Sequence, residues 1–119
     1  MDLYFRKKNK TIIIFISGEI DHHTAKELRE KTENIFSEMP VRNLVFDFKQ
    51  VTFMDSSGIG MLIGRYKELQ FMGGRIAIAE ADQKIREILL ISGLKQILPL
   101  FNTLEEAITY AEGREQNAV

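Results

Sequence analysis

The first half of the chain begins with two short apolar runs and then changes its period. Residues 3–8 and 11–17 are rich in β-branched and aromatic side chains and are joined by a short polar turn, which predicts a β-hairpin. The apolar positions then recur every three or four residues, the spacing of an amphipathic helix. Thr24 with Glu27 matches a capping box at the start of that helix. Residues 43–49 alternate again, which predicts a third strand.

The second half alternates helices and strands. Residues 58–72 carry one apolar stripe at helical spacing and stop at a Gly-Gly pair, which predicts a helix. Residues 75–79 predict a strand, and Asp82 is a suitable cap for the helix that follows it. Residues 97–101 predict a last short strand, and Thr103 begins a capping box for the final helix.

This order of elements indicates an α/β fold. Helices between successive strands favour parallel pairing, so we expect a mixed, mostly parallel sheet with an antiparallel opening hairpin. Residues 76–79 alternate Ile with Ala, which predicts that helices lie mainly on one face of the sheet. No linker divides the chain. We expect one domain over residues 1–112 and a flexible tail over residues 113–119.

Composition and charge exclude several classes of protein. The 119 residues are 45% hydrophobic and 28% charged, as in ordinary globular domains, and the net charge of -1 provides no field for nucleic acid or an anionic membrane. We therefore expect no direct nucleic-acid binding and no stable membrane association. Without cysteine the chain has neither a disulfide nor a thiolate site, and its N-terminus lacks the pattern of a signal peptide. These features predict a cytoplasmic protein.

The loops that follow the parallel strands are the expected place for function, because they meet at one edge of the sheet. The middle loop contains Asp55-Ser56-Ser57 at the start of a helix. Short polar residues there commonly do no more than cap the helix. The same helix start would also accommodate a phosphate on Ser56, because free N–H groups and the helix dipole favour an anion. Both interpretations remain open on the residues alone.

Two segments resemble one known family. Residues 18–25 (GEIDHHTA) and 53–60 (FMDSSGIG) are similar to the STAS domain family, and most similar to its anti-sigma factor antagonists from endospore-forming bacteria. The similarity continues through residues 64–67 and 92–94 and so covers nearly the whole chain. Antagonists of stress-response sigma factors belong to the same family and are the alternative to this subgroup. They usually lack the paired histidines, which favours the sporulation subgroup.

The resemblance implies a partner switch rather than an enzyme. In its unphosphorylated form such a protein binds an anti-sigma factor that is also a serine kinase (SpoIIAB-like), and this releases the sporulation sigma factor F. The kinase uses ATP to phosphorylate the first serine of the pair, here Ser56, which inactivates the antagonist. A serine phosphatase (SpoIIE-like) restores the active form. The chain itself would need no cofactor.

The resemblance also implies which residues meet the partner. It places Asp21, His22 and His23 of the first segment at the interface, together with part of the second segment: Asp55, Ser57, Gly58 and Ile59. Met61 is a further candidate, because it lies opposite the apolar stripe of its predicted helix, on the face of Arg65. We expect Met61 to be exposed there. We also expect the Asp21 carboxylate to face Ser56, since both follow neighbouring strands.

Enzymatic readings fit the residues less well. Gly58, Gly60 and Gly64 resemble a dinucleotide fingerprint, but their spacing is too long and no second half-domain exists. Close packing of the helix on the sheet at Gly60 and Gly64 explains them equally well. A serine hydrolase needs a histidine after its nucleophile, and this chain has none after Ser56. The two adjacent histidines do not make a metal site, because consecutive residues at a helix start point in different directions.

Overall fold

The computed structural model describes residues 2–113, which form a five-stranded sheet and four α-helices. The strands are β1 (Asp2–Lys8), β2 (Thr11–Ile20), β3 (Asn43–Met54), β4 (Ile76–Ala79) and β5 (Leu100–Phe101). The helices are α1 (His22–Glu38), α2 (Ser56–Phe71), α3 (Gln83–Ile91) and α4 (Leu104–Ala111). A 3₁₀ turn, Leu94–Gln96, lies between α3 and β5.

The sheet follows the order of the chain. Its strands lie in the order β1-β2-β3-β4-β5, with β1 and β2 antiparallel and every later pair parallel. The predicted mixed sheet with an antiparallel opening hairpin is therefore confirmed. Strand β1 lies at the edge, and its exposed Arg6, Lys7 and Lys8 discourage pairing with another sheet.

Helices cover the two faces unequally, as predicted. On one face α1, α2 and α3 bury the large side chains of the sheet, such as Ile12, Phe46 and Ile78. Among residues 2–113, α4 is the one helix on the other face, and its alanines pack on Ala77 and Ala79. Because alanine side chains meet alanine side chains in that contact, α4 can lie close to the sheet. Three of the four helices in residues 2–113 thus lie on one face of the sheet.

Most predicted helix starts are confirmed, whereas some strand limits differ. The side chain of Asp82 accepts from the Ile85 N–H at 2.9 Å, and that of Thr103 accepts from the Glu106 N–H at 3.1 Å. Strand β3 runs five residues past the predicted limit, and the strand predicted over 97–101 is confined to Leu100–Phe101 because the 3₁₀ turn precedes it. Except for Gly113, the predicted tail lies outside the described residues.

The predicted exposure of Met61 is wrong. Met61 and Arg65 are each only 4% exposed, because α1 packs against the side of α2 that was expected to face solvent. The guanidinium of Arg65 donates through Nη2 to Oε2 of Glu33 on α1 at 3.2 Å. Met72, at the end of the same helix, is exposed. Helix α2 thus buries two sides, one on the sheet and one on α1.

The glycines of α2 also differ from expectation. A Cβ atom at Gly60 or Gly64 would meet no other atom within 4 Å, so neither glycine serves close packing on the sheet. The close approach is at Gly58, where a Cβ would lie 2.4 Å from Cγ of Met54 and 3.1 Å from Cγ2 of Ile20. Gly58 is therefore the position where α2 needs a missing side chain, because it lies against the ends of β2 and β3.

Candidate functional site

Two loops meet at the carboxyl end of the sheet. Strands β2 and β3 are parallel neighbours whose last residues, Ile20 and Met54, lie side by side. The Asp55 N–H donates to the Ile20 carbonyl at 3.3 Å, which joins the two strand ends. Asp21 and Ser56 therefore follow adjacent strands at the same edge, as the predicted topology required. The site is built from the first turns of α1 and α2.

Asp21 begins α1 as its N-cap. Its carboxylate accepts from the Thr24 N–H at 3.0 Å, and the Asp21 N–H donates to Oγ1 of Thr24 at 2.8 Å. This reciprocal pair is the capping box of α1, so the predicted box of Thr24 with Glu27 is wrong by one turn. The hydrogen bonds from the backbone and side chain of Thr24 lower the pKa of Asp21 below its usual range. These hydrogen bonds with Thr24 favour the ionised form of the carboxylate and fix its position.

Asp55 begins α2 in the same way. Its carboxylate accepts from the Ser57 N–H at 2.8 Å, and its carbonyl accepts from the Gly58 N–H at 3.0 Å. Ser56 is the first residue of the helix and is exposed. Within residues 2–113 its hydroxyl makes no hydrogen bond. Capping is therefore done by Asp55, which takes the N–H groups of Ser57 and Gly58 and leaves the side chain of Ser56 accessible at the positive end of the helix dipole.

The remaining predicted site residues differ in accessibility. His22 and His23 are exposed on the first turn of α1, and Nδ1 of His22 lies 3.5 Å from Oγ of Ser57. Gly58 is buried, and Ile59 is partly buried against the core. The structure brings the histidines and Ser57 to one surface, whereas Gly58 supports the loop from below.

A groove runs between the first turns of α1 and α2. It has a volume of about 230 Å³ and is lined by His22, Lys26 and Arg29 of α1 and by Ser57, Gly60 and Met61 of α2. Sequence reasoning missed the two cations. Their spacing, four and seven residues after His22, was the available signal, because such positions share one face of a helix.

A second cavity, of about 260 Å³, lies on the sheet face that carries α4. Tyr4 stacks on Phe15 there with ring centroids 4.7 Å apart, and the nearby Asp47 is nearly buried. Burial raises the pKa of Asp47, the Lys49 N–H lowers it and the charge of Glu80 raises it. The cavity is lined from β1, β2 and β3 and lies away from Ser56.

The part of the chain that the structure describes has neither a metal-binding cluster nor a membrane-spanning helix. Among residues 2–113, no three His, Asp or Glu side chains come close enough to hold a metal ion. In the same part of the chain, no helix is long and apolar enough to cross a bilayer.

Comparison with known proteins identifies the family. The STAS domain model matches residues 3–107. An anti-sigma F factor antagonist of Paenibacillus polymyxa is 34% identical over 101 residues, which cover 85% of this chain and 86% of the relative. An anti-sigma-B factor antagonist of Bacillus subtilis is 30% identical over 95 residues, which cover 80% and 85% of the two chains.

Solved structures give the same result. The unphosphorylated form of the anti-sigma factor antagonist SpoIIAA is 30% identical, covers 94% of this chain and 97% of its own, and superimposes with a TM-score of 0.82. The phosphorylated form of SpoIIAA, a Bacillus cell fate determinant, is also 30% identical, with coverages of 92% and 98% and a TM-score of 0.72. The chain therefore belongs to the STAS domain family.

Proposed function

We propose that this chain is an anti-sigma factor antagonist that binds its partner through the first turns of α1 and α2. The observation that carries the proposal is an exposed serine at the start of α2, at the end of the strand that pairs with the one leading to Asp21, in a STAS domain. The relatives reported above are antagonists of anti-sigma F and anti-sigma-B factors, so the antagonist role is what they share. The interface would include Asp21, His22 and His23 from α1.

The contribution of α2 to that interface follows from burial. Ser57 and Ile59 are partly accessible and present side chains next to Ser56. Met61 lies at the bottom of the groove, so a partner would meet it only from inside that groove. Asp55 and Gly58 act indirectly, because one caps the helix and the other fixes its distance from the strands.

Phosphorylation of Ser56 is proposed as the switch that ends binding. A serine kinase partner would transfer the γ-phosphoryl group of ATP to Oγ of Ser56, releasing ADP, while the hydroxyl proton passes to a base of the kinase. The phosphate adds about -1.5 to -2 charges at neutral pH. The positive end of the α2 dipole favours this anion by about 0.3–1 kcal/mol, which offsets part of the repulsion from Asp21 and Asp55. We therefore expect the phosphate to be accommodated without rearrangement of the fold.

The partner meets a different surface after phosphorylation. Desolvating a dianion at an interface, or placing it against carboxylates, costs several kcal/mol. A cost of that size lowers affinity at least about a hundredfold. A serine phosphatase acting on Ser56 would restore binding. The chain is in this account a ligand and a kinase substrate of the cytoplasm, without a catalytic role or cofactor of its own.

Sigma F is the proposed target, and the stress-response sigma factor is the second candidate. The residues Asp21-His22-His23 and the likeness to SpoIIAA favour the sporulation system. The 30% identity to an anti-sigma-B factor antagonist favours the alternative. Binding measured in parallel to an anti-sigma F and an anti-sigma-B factor decides between them, since a partner switch requires clear preference for one.

The proposed modification is tested by mixing the protein with an anti-sigma F factor and ATP and locating the phosphate by mass spectrometry. We expect one phosphate, on Ser56. Ser56→Ala should remain folded and bound to the partner but accept no phosphate, because Asp55 still caps α2. Phosphate on another residue, or loss of binding in a folded Ser56→Ala protein, would contradict the proposal.

A further inference from the structure

The groove between α1 and α2 has an apolar floor and basic walls. Met61 and Ala25 form part of its lining, while His22, Lys26 and Arg29 supply the polar side chains of α1. No carboxylate is among the lining residues of this groove. The groove adjoins Ser57, the residue after the proposed phosphorylation site, and so continues the surface assigned to the partner.

The cations of this groove are not used by the fold. Lys26 and Arg29 are exposed, and within residues 2–113 neither side chain makes an ion pair or a hydrogen bond. The same two helices do form an ion pair further along, where Arg65 meets Glu33 at 3.2 Å. Because the lining contains Lys26 and Arg29 and no carboxylate, the wall of the groove itself is basic.

Gly60 keeps the groove open. It lies in the first half of α2 and lines the groove, and a Cβ atom there would meet no other atom within 4 Å. Glycine inside a helix costs about 0.5–1 kcal/mol relative to alanine, and its backbone here is not in the left-handed region. Neither folding nor packing explains the glycine, whereas room for an incoming side chain does.

We propose that this groove receives an acidic side chain, Asp or Glu, of the anti-sigma factor, with Lys26 and Arg29 as its counter-charges. The proposal rests on the function proposed above and specifies the chemistry of the partner. Arg29 can bind a carboxylate with two parallel hydrogen bonds, and Lys26 adds a second positive charge. The apolar floor fits the methylene groups of the incoming side chain.

The proposal also adds to the switch. A phosphate on Ser56 would lie within a Debye length of the groove, about 8 Å at physiological ionic strength, and would lower its positive potential. The same modification therefore adds bulk at the first turn of α2 and weakens the attraction for the acidic side chain.

Charge reversal tests the groove directly. The double variant Lys26→Glu, Arg29→Glu should bind the anti-sigma F factor at least about tenfold more weakly than wild type, and its affinity should depend less on salt. The matched control is Lys31→Glu with Lys84→Glu, which changes net charge equally at exposed positions outside the groove. The control should stay within about twofold of wild type. Equal losses in both variants would overturn the proposal.

Filling the groove tests its shape without changing charge. Gly60→Gln should weaken binding about tenfold while keeping or raising thermal stability, since the new side chain occupies the groove and replaces a helical glycine. Gly64→Gln is the control, because Gly64 is equally open but does not line the groove. Unchanged binding by Gly60→Gln would overturn the proposal.

The failure of this proposal is distinguishable from failure of the proposed function. If wild type binds the anti-sigma factor and is phosphorylated on Ser56, but the groove variants bind like their controls, only the acidic-side-chain proposal falls. If wild type neither binds nor accepts phosphate, both fall.

Discussion

The contact between α1 and α2 has two ends that use charge in opposite ways. At the closed end, away from the loops, Arg65 is buried and pairs with Glu33, and its Nε has no acceptor among the described residues. At the open end, beside Ser57, Lys26 and Arg29 remain exposed and unpaired around a groove. One pair of helices thus has an internal ion pair at one end and free cations at the other.

The difference separates stability from recognition. A charge that is paired inside the protein contributes to the fold only after its desolvation cost is offset, and it offers nothing to a partner. An exposed cation contributes little to stability but steers and selects an oppositely charged partner. Substitutions at the closed end should therefore alter unfolding, and substitutions at the open end should alter binding.

The largest stability effect is expected below the open end, at Gly58. Gly58→Ala would force its Cβ against Met54, which is fully buried, and should destabilise the domain by about 1–3 kcal/mol. Gly60→Ala, two residues on, should be neutral or stabilising by up to about 1 kcal/mol, because its Cβ enters open space. Chemical denaturation of both variants measures the contrast. Equal stability of the two would contradict the account of how α2 sits on the strands.

Asp21 should combine a capping role with a binding role. Asp21→Ala removes the cap of α1, so the stability of the domain should fall. By our proposal it also removes a partner contact, so partner binding should weaken about tenfold. Thr103→Ala is the matched control: it removes the cap of α4, on the opposite face, and should cost about 1 kcal/mol without affecting binding. If Asp21→Ala binds the partner as well as Thr103→Ala does, Asp21 is a helix cap and not a partner contact.

The two partners of the closed-end ion pair should differ in their effect on stability. Arg65→Met should be neutral or stabilising, because it removes a buried charge whose Nε is unpaired. Glu33→Ala should destabilise by about 1–3 kcal/mol, because it leaves the buried guanidinium of Arg65 without its counter-charge. Partner binding should stay within about twofold in both variants. A large binding defect at Arg65 would break the division between the two ends.

The smallest expected effect is a change in acid stability at the open end. The folded-state pKa of Asp21 is lowered, so its ionised form adds stability above the usual aspartate range, and this is lost as pH falls through the folded value. Asp21→Asn should therefore lie below wild type in stability at neutral pH and approach it as pH falls below the usual aspartate range. Urea midpoints at several pH values measure this difference. A constant gap at all pH values would show that ionisation of Asp21 is irrelevant to stability.

Features with local causes were predictable from the sequence. The hairpin, the alternation of helices and strands, and the caps at Asp82 and Thr103 follow from side chains within a few residues of each element. The edge shared by Asp21 and Ser56 followed from topology alone. The cap of α1 was misplaced because Thr24 fits both possible capping boxes. Only the structure shows that Thr24 is the third helical residue, whose Oγ1 accepts from the Asp21 N–H.

Features that depend on packing between helices were not predictable in the same way. One apolar stripe on α2 identified its contact with the sheet, but Met61 and Arg65 are buried by α1, whose position the sequence pattern does not define. The basic groove arises from the same contact and was missed for the same reason. The weakly segregated apolar residues of α2 were the available signal that the helix buries two sides.

The central claim is that a phosphate on Ser56 ends partner binding through local charge, without rearranging the fold. The most direct measurement combines backbone amide spectra of the phosphorylated and unphosphorylated protein with anti-sigma factor binding on the same samples. The account predicts at least about a hundredfold loss of affinity, with spectral changes confined to the loops around Asp21 and Ser56. Retained binding, or backbone changes spread across the sheet, would contradict it.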